Sequence, residues 1–258
     1  MDHFLILTEG VHDQALIQKL LKVVWGLERF DGQRDKLDSF WVPLIPKYPK
    51  DGKLYSRVAF PAISFSAAHS IAIYATDGID KRIYGAIHNL GSFCPDLVAG
   101  LQGCGVIVDA NHKGPQVQFA RLKCELAPYL PNLPQQPGEV STSLPRQGIY
   151  VLPDNDSTGS LEDVLLQCAM VVYPDLLAGA QTYLAQVPAP RKKHWEGSDA
   201  KKALVGCIGN VLRPAKTNTV TISDNDWISD QTKELAALVA LQSFLGKLLG
   251  LATLTNPH

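Results

Sequence analysis

At 258 residues the chain can form one large domain, or one with a small appendage, around a substantial buried core. Its 46% hydrophobic and 19% charged residues are ordinary for a soluble globular protein, and a net charge of −1 gives no global attraction to nucleic acid. Five scattered cysteines (Cys94, Cys104, Cys124, Cys168, Cys207) without a C-x-x-C pair argue against a zinc cluster or disulfide framework and fit a reducing, cytoplasmic setting.

Residues 3–8 read as a buried strand, and 11–27 as a helix whose Ala15, Leu16, Leu20, Val23, Val24 and Leu27 fall on one face. Its start, between Asp2 and Glu9, is too short and acidic for a signal peptide. Residues 28–70 fit the pattern poorly. They carry Pro43, Pro46, Pro49 and Pro61, a charge-rich start and the aromatics Phe40, Trp41, Tyr48 and Tyr55, and are expected to be a Pro-rich insertion.

The pattern resumes with a strand at 71–74, helices near 80–90 and 96–101, a strand at 106–108 and a helix at 116–126. Five prolines mark 128–148 as a loop with at most one short strand. A strand at 149–152, a helix at 161–172, and two further helices near 200–212 and 231–251 complete the chain. The apolar tail at 235–251 is interrupted by Gln242, Ser243 and Lys247 and falls short of the roughly 20 apolar residues of a membrane span. Strands alternating with helices predict an α/β domain: a mostly parallel sheet with helices on both faces, an insertion at about 28–70 and a C-terminal helical extension at about 213–258.

Three acidic clusters each follow a predicted strand. They are Glu9-Gly10 with Asp13, Asp109 with Asn111, and Glu162-Asp163. Carboxylates at the carboxyl ends of parallel strands converge on the rim where open α/β sheets place ligands. Gathered carboxylates repel one another unless a cation sits between them, and a hard divalent ion bound through oxygen is the usual solution. The residues therefore point to a Mg²⁺-type site.

The order of these clusters resembles the Toprim domain, shared by topoisomerases, primases and the OLD nucleases. Thr8-Glu9-Gly10 with Asp13 looks like the first motif, and Asp109-Ala110-Asn111 like the second, normally Asp-x-Asp. Gly159-Ser160-Leu161-Glu162-Asp163 looks like the Gly-x-Leu-Glu element of the OLD-like branch. Leu152-Pro153-Asp154-Asn155 is similar to a Toprim-like family of unknown function. Lys201-Lys202-Ala203 falls where that branch carries a lysine, with Lys202 the better match. The resemblance covers residues 1–27 and 71–212.

It implies phosphodiester cleavage of DNA or RNA with Mg²⁺ or Mn²⁺. Glu9, Asp109 and Glu162 would be principal ligands, Asp13, Asn111 and Asp163 would complete the shell, and Glu9 and Lys202 would take part in catalysis. Asn111 stands where the family has Asp, so a catalytically weakened binding or regulatory module is the alternative. The chain has no G-x-x-x-x-G-K-[ST] motif, so the ATPase that commonly accompanies OLD-type Toprims would be a separate partner.

Plainer explanations stand beside these. Ser160 to Asp163 fits a capping box, Asp13 suits a helix start, and Asp109 and Asn111 suit turn chemistry. Asp154-Asn155-Asp156-Ser157-Thr158 resembles the nucleophile loop of haloacid-dehalogenase phosphatases, a third reading weakened by Pro153 and the late position. Arg191-Lys192-Lys193-His194 with Lys201, Lys202 and Trp195 is the densest basic patch, suited to a phosphate backbone and a stacked base or merely to solvent. Oligomeric state is open, since the apolar C-terminal helix suits either the core or a second copy.

Overall fold

The structure is a computed structural model that describes residues 1–45, 60–76, 85 and 95–252. Among the described residues six strands form one sheet: β1 (Asp2–Thr8), β2 (Glu28–Arg29), β3 (Ala62–Phe65), β4 (His69–Ala75), β5 (Leu101–Asp109) and β6 (Arg146–Leu152), in the order β2-β3-β4-β1-β5-β6. β4, β1, β5 and β6 are mutually parallel, while β3 and β2 add an antiparallel edge. Phe4 to Leu7 are all buried, as are Val106 to Val108 and Ile149 to Leu152. Strands covered on both faces read as continuous apolar runs, which is the pattern these segments show.

Alternation along β1 divides the core in two. Phe4 and Ile6 face one layer with α1 (Val11–Trp25), the helices Leu161–Val172, Pro174–Gln186, Asp199–Leu212 and Asn218–Asp224, and Ala236–Leu249. Leu5 and Leu7 face the other, with Trp41 and Leu44 of a 3-10 segment and Phe119, Leu122 and Leu126 of the helix Pro115–Leu126. Helices therefore lie on both faces of an α/β sheet. Among the described residues no helix is long and apolar enough to cross a membrane.

α1 ends at Gly26, whose φ of 68° is a left-handed cap that glycine adopts without steric penalty. The C-terminal helix lies against β5 and β6 because glycines open the sheet there. A Cβ on Gly148 would stand 2.6 Å from the Glu139 carbonyl oxygen and 2.7 Å from the Phe244 ring. Tyr150 packs on Phe244 with ring centroids 5.4 Å apart.

Several boundaries differ from the sequence expectation. Residues 28–29 and 62–70 contribute to the sheet itself, so the expected insertion contracts to what lies between them. The described part of the expected 213–258 extension, up to residue 252, holds the helices Asn218–Asp224 and Ala236–Leu249, which contribute Ile222, Leu238, Leu241 and Phe244 to the core. An unanticipated helix, Pro174–Gln186, follows Leu161–Val172 after the single residue Tyr173. The short helix before β5 spans Pro95–Ala99, and Leu101 already belongs to the strand. Pro46, Tyr48, Pro49, Tyr55 and all but residue 85 of the expected 80–90 helix lie outside the described residues.

Candidate metal centre at the carboxyl edge of the sheet

β1 and β5 are neighbours whose following helices leave to opposite faces, α1 to one and Pro115–Leu126 to the other. Such a divergence opens a crevice beyond the carboxyl ends of the strands. Glu9 follows β1 directly, and Asp109 ends β5. The Asp109 N–H lies 3.5 Å from Glu9 Oε2, so the two segments meet across the crevice. β6 delivers the third acidic segment: Asp109 pairs in register with Leu152, and Leu161 N–H donates to Asp109 Oδ1 at 2.9 Å.

Four carboxylates from three distant segments sense one another here. Burial pushes the Asp13 carboxyl up to about 7; the Gly10 N–H at 2.8 Å opposes this, and Glu9 and Glu162 add to it. Burial raises Asp109 well above the ordinary carboxylate range, with Asp13, Glu9 and Glu162 reinforcing the rise and the Leu161 N–H resisting it. Asp13 and Glu162 are only 5% and 8% exposed, so little water screens the repulsion. A buried set of like charges is what a hard cation relieves, and the all-oxygen donors fit Mg²⁺ or Mn²⁺. The side chains also have local partners: Asp13 accepts from Gly10, Asp109 from Leu161, and Glu162 from the Ser160 hydroxyl at 2.8 Å. Among the described residues, no group of three or more His, Cys, Asp or Glu side chains stands, as it is, in an arrangement that could hold a metal ion. Binding would require these carboxylates to exchange those partners for the ion.

The remaining sequence candidates sort by their contacts. Asn111, at φ 52°, exchanges backbone hydrogen bonds with Gly159 (2.7 and 3.1 Å), clasping the loop after β5 to the loop after β6. Asp163 accepts the Ser160 N–H at 3.0 Å, the reciprocal half of a capping box, and its other oxygen receives Lys201 Nζ at 2.6 Å. Lys201 is the lysine that pairs with Asp163; Lys202 lies 3.8 Å from Asp199, within its own helix, and within electrostatic reach of His12. Asp154 folds onto its own turn, accepting from Asp156 N–H, Ser157 N–H and the Ser157 hydroxyl, which occupies the oxygens a nucleophilic aspartate would need.

His12 was missed by the sequence reading. Burial lowers its pKa; Glu162 opposes the shift and Lys202 adds to it, so the imidazole lies within electrostatic reach of both. A lone histidine in a first helical turn carries no spacing signal. Only its position between Glu9 and Asp13 in sequence could have drawn attention to it.

The chain belongs to a family described as "Protein of unknown function (DUF3226)", which matches residues 3–249. A solved structure of similar fold is the crystal structure of hypothetical protein PH0156 from Pyrococcus horikoshii OT3. It shares 16% identity over 97% of this chain and 96% of that one, with a TM-score of 0.52. No curated protein matches the sequence.

Proposed function

We propose that the protein is a Toprim-like, divalent-cation-dependent phosphodiesterase acting on nucleic acid. The observation that carries this reading is the meeting of Glu9, Asp13, Asp109 and Glu162 from three distant segments at the β1–β5 crevice, where burial above all, and then neighbouring carboxylates, raise Asp13 and Asp109. Glu9, Asp109, Glu162 and Asp13 would hold Mg²⁺ or Mn²⁺, which would supply Lewis-acid polarisation of a phosphoryl oxygen. His12, neutral at pH 7 because its pKa is lowered, can accept a proton from an attacking water. Lys201, paired with Asp163, the residue after Glu162, would offset charge developing on phosphate.

The test is hydrolysis of single- and double-stranded DNA, RNA and the small diester bis-p-nitrophenyl phosphate with Mg²⁺ or Mn²⁺. Metal-dependent cleavage that falls at least about 100-fold in Glu9→Gln and Asp109→Asn, with circular dichroism unchanged, is the expected result. No metal-dependent cleavage of any substrate would refute the enzymatic reading.

A second reading, a catalytically weakened module beside a separate ATPase, is favoured by Asn111 and by the occupation of both Asp163 oxygens. It predicts no turnover on any of those substrates and unaltered partner binding in Glu9→Gln.

A further inference from the structure

The basic segment identified in the sequence is brought to the same rim as the acidic crevice. Leu161–Val172 starts at the rim beside Asp109 and runs away from it. Pro174–Gln186 follows after one residue and packs against it, and Asp199–Leu212 packs against both. The connection 187–198 leads into the start of Asp199–Leu212, which the Lys201–Asp163 ion pair at 2.6 Å ties to the start of Leu161–Val172 at the rim.

Residues 189–202 hold Arg191, Lys192, Lys193, Lys201 and Lys202 against only Glu196 and Asp199, in a chain whose net charge is −1. Lys192 is used internally, donating to the Leu184 carbonyl at 3.1 Å, and Asp199 accepts the Glu196 N–H at 3.0 Å. Arg191, Lys193 and Lys202 are exposed, and Trp195 is half-buried, leaving part of its indole to solvent.

We propose that residues 191–202 are the path along which a single-stranded nucleic acid reaches the crevice, phosphates lying on Arg191, Lys193 and Lys202 and a base stacking on Trp195. Cations tracking a backbone beside an aromatic platform are the shared chemistry of single-strand binding, and a paired base offers no free face to stack. This inference rests on the phosphodiesterase reading, to which it adds the strandedness of the substrate and its route of entry.

The test uses the full-length protein and fluorescence anisotropy of a labelled 12-nucleotide oligothymidylate, with EDTA present so that no metal contributes. Wild type is expected to bind with strong salt dependence. Arg191→Ala/Lys193→Ala should bind at least about tenfold more weakly, with the log–log salt slope reduced by about 1.4, or 0.7 per lost phosphate contact. Trp195→Ala should weaken binding by roughly 5- to 100-fold, whereas Trp195→Phe should keep most of it, because a phenyl ring still stacks. Circular dichroism of each variant separates lost contact from lost fold. Wild-type affinity in the double variant and in Trp195→Ala, or a wild type that binds only duplex, would overturn the proposal. Failure of the underlying reading looks different. Metal-dependent hydrolysis of bis-p-nitrophenyl phosphate without oligonucleotide binding sinks only the path, whereas binding through the path without diester hydrolysis sinks only the enzymatic reading.

Discussion

Asp13→Asn should stabilise the metal-free protein, and increasingly so as pH rises. The folded state holds the Asp13 carboxyl at about 7 against an ordinary 3.8, so folding favours the protonated acid. Its stabilising influence is complete below about pH 4 and is lost as the pH climbs through 7, because the unfolded chain ionises first. At about 1.4 kcal/mol per pH unit of difference, the cost of the ionised carboxylate is roughly 4 kcal/mol at pH 8 and about 1.5 kcal/mol at pH 5. Asparagine removes the charge while its amide oxygen can still accept the Gly10 N–H now held at 2.8 Å. For a chain of this size, each kcal/mol moves Tm by about 2–4 °C. The variant's gain in Tm in EDTA should therefore exceed its gain at pH 5 by roughly 5–10 °C when measured at pH 8. A gain independent of pH, or destabilisation at both, would refute the claim that burial, reinforced by neighbouring carboxylates, raises the Asp13 carboxyl.

Other perturbations separate the remaining parts. Gly148→Ala should destabilise by about 1–3 kcal/mol in urea titration, because its Cβ would press on the Glu139 backbone as well as the Phe244 ring. Lys201→Met should lower stability by no more than about 1 kcal/mol, since both partners of the ion pair are partly exposed. The same change should reduce bis-p-nitrophenyl phosphate hydrolysis about tenfold or more, and by more than Lys202→Met does; the reverse order would restore Lys202 as the principal cation. Asn111→Asp, at a left-handed position that Asp tolerates, should tighten Mn²⁺ binding severalfold by calorimetry and lower metal-free stability at neutral pH.

The strands that frame the crevice were legible because they are buried on both faces and read as unbroken apolar runs, Phe4 to Leu7 and Val106 to Val108 among them. Glu9 and Asp109 could be placed at strand ends for the same reason, whereas Glu162 lies beyond β6 in the first turn of Leu161–Val172. The antiparallel edge was hidden: β2 is two residues long, and Ala62–Phe65 follows Pro61 directly, a residue that argues against a strand interior. Pro174–Gln186 escaped notice because only Leu177 and Ala180 of its residues are buried, too few to set a helical period.

At the site, the limit was helix phase. Lys201 and Lys202 are adjacent in sequence but point about 100° apart around their helix, and the start at Asp199 turns Lys201 toward Asp163. Asp13 and Asp163 look alike in sequence, each accepting the N–H three residues before it. Tertiary surroundings divide them: one lies buried among carboxylates, and the other is paired with a lysine.

The most direct measurement is Mn²⁺ titration of the full-length protein at pH 7.5, followed by electron paramagnetic resonance of the free ion. The account predicts saturable uptake that weakens at least about tenfold in Glu9→Gln and in Asp109→Asn, accompanied by release of the protons that the raised carboxyls of Asp13, in part, and Asp109 still hold. Uptake that is absent, or that is unaffected by both substitutions, would contradict it.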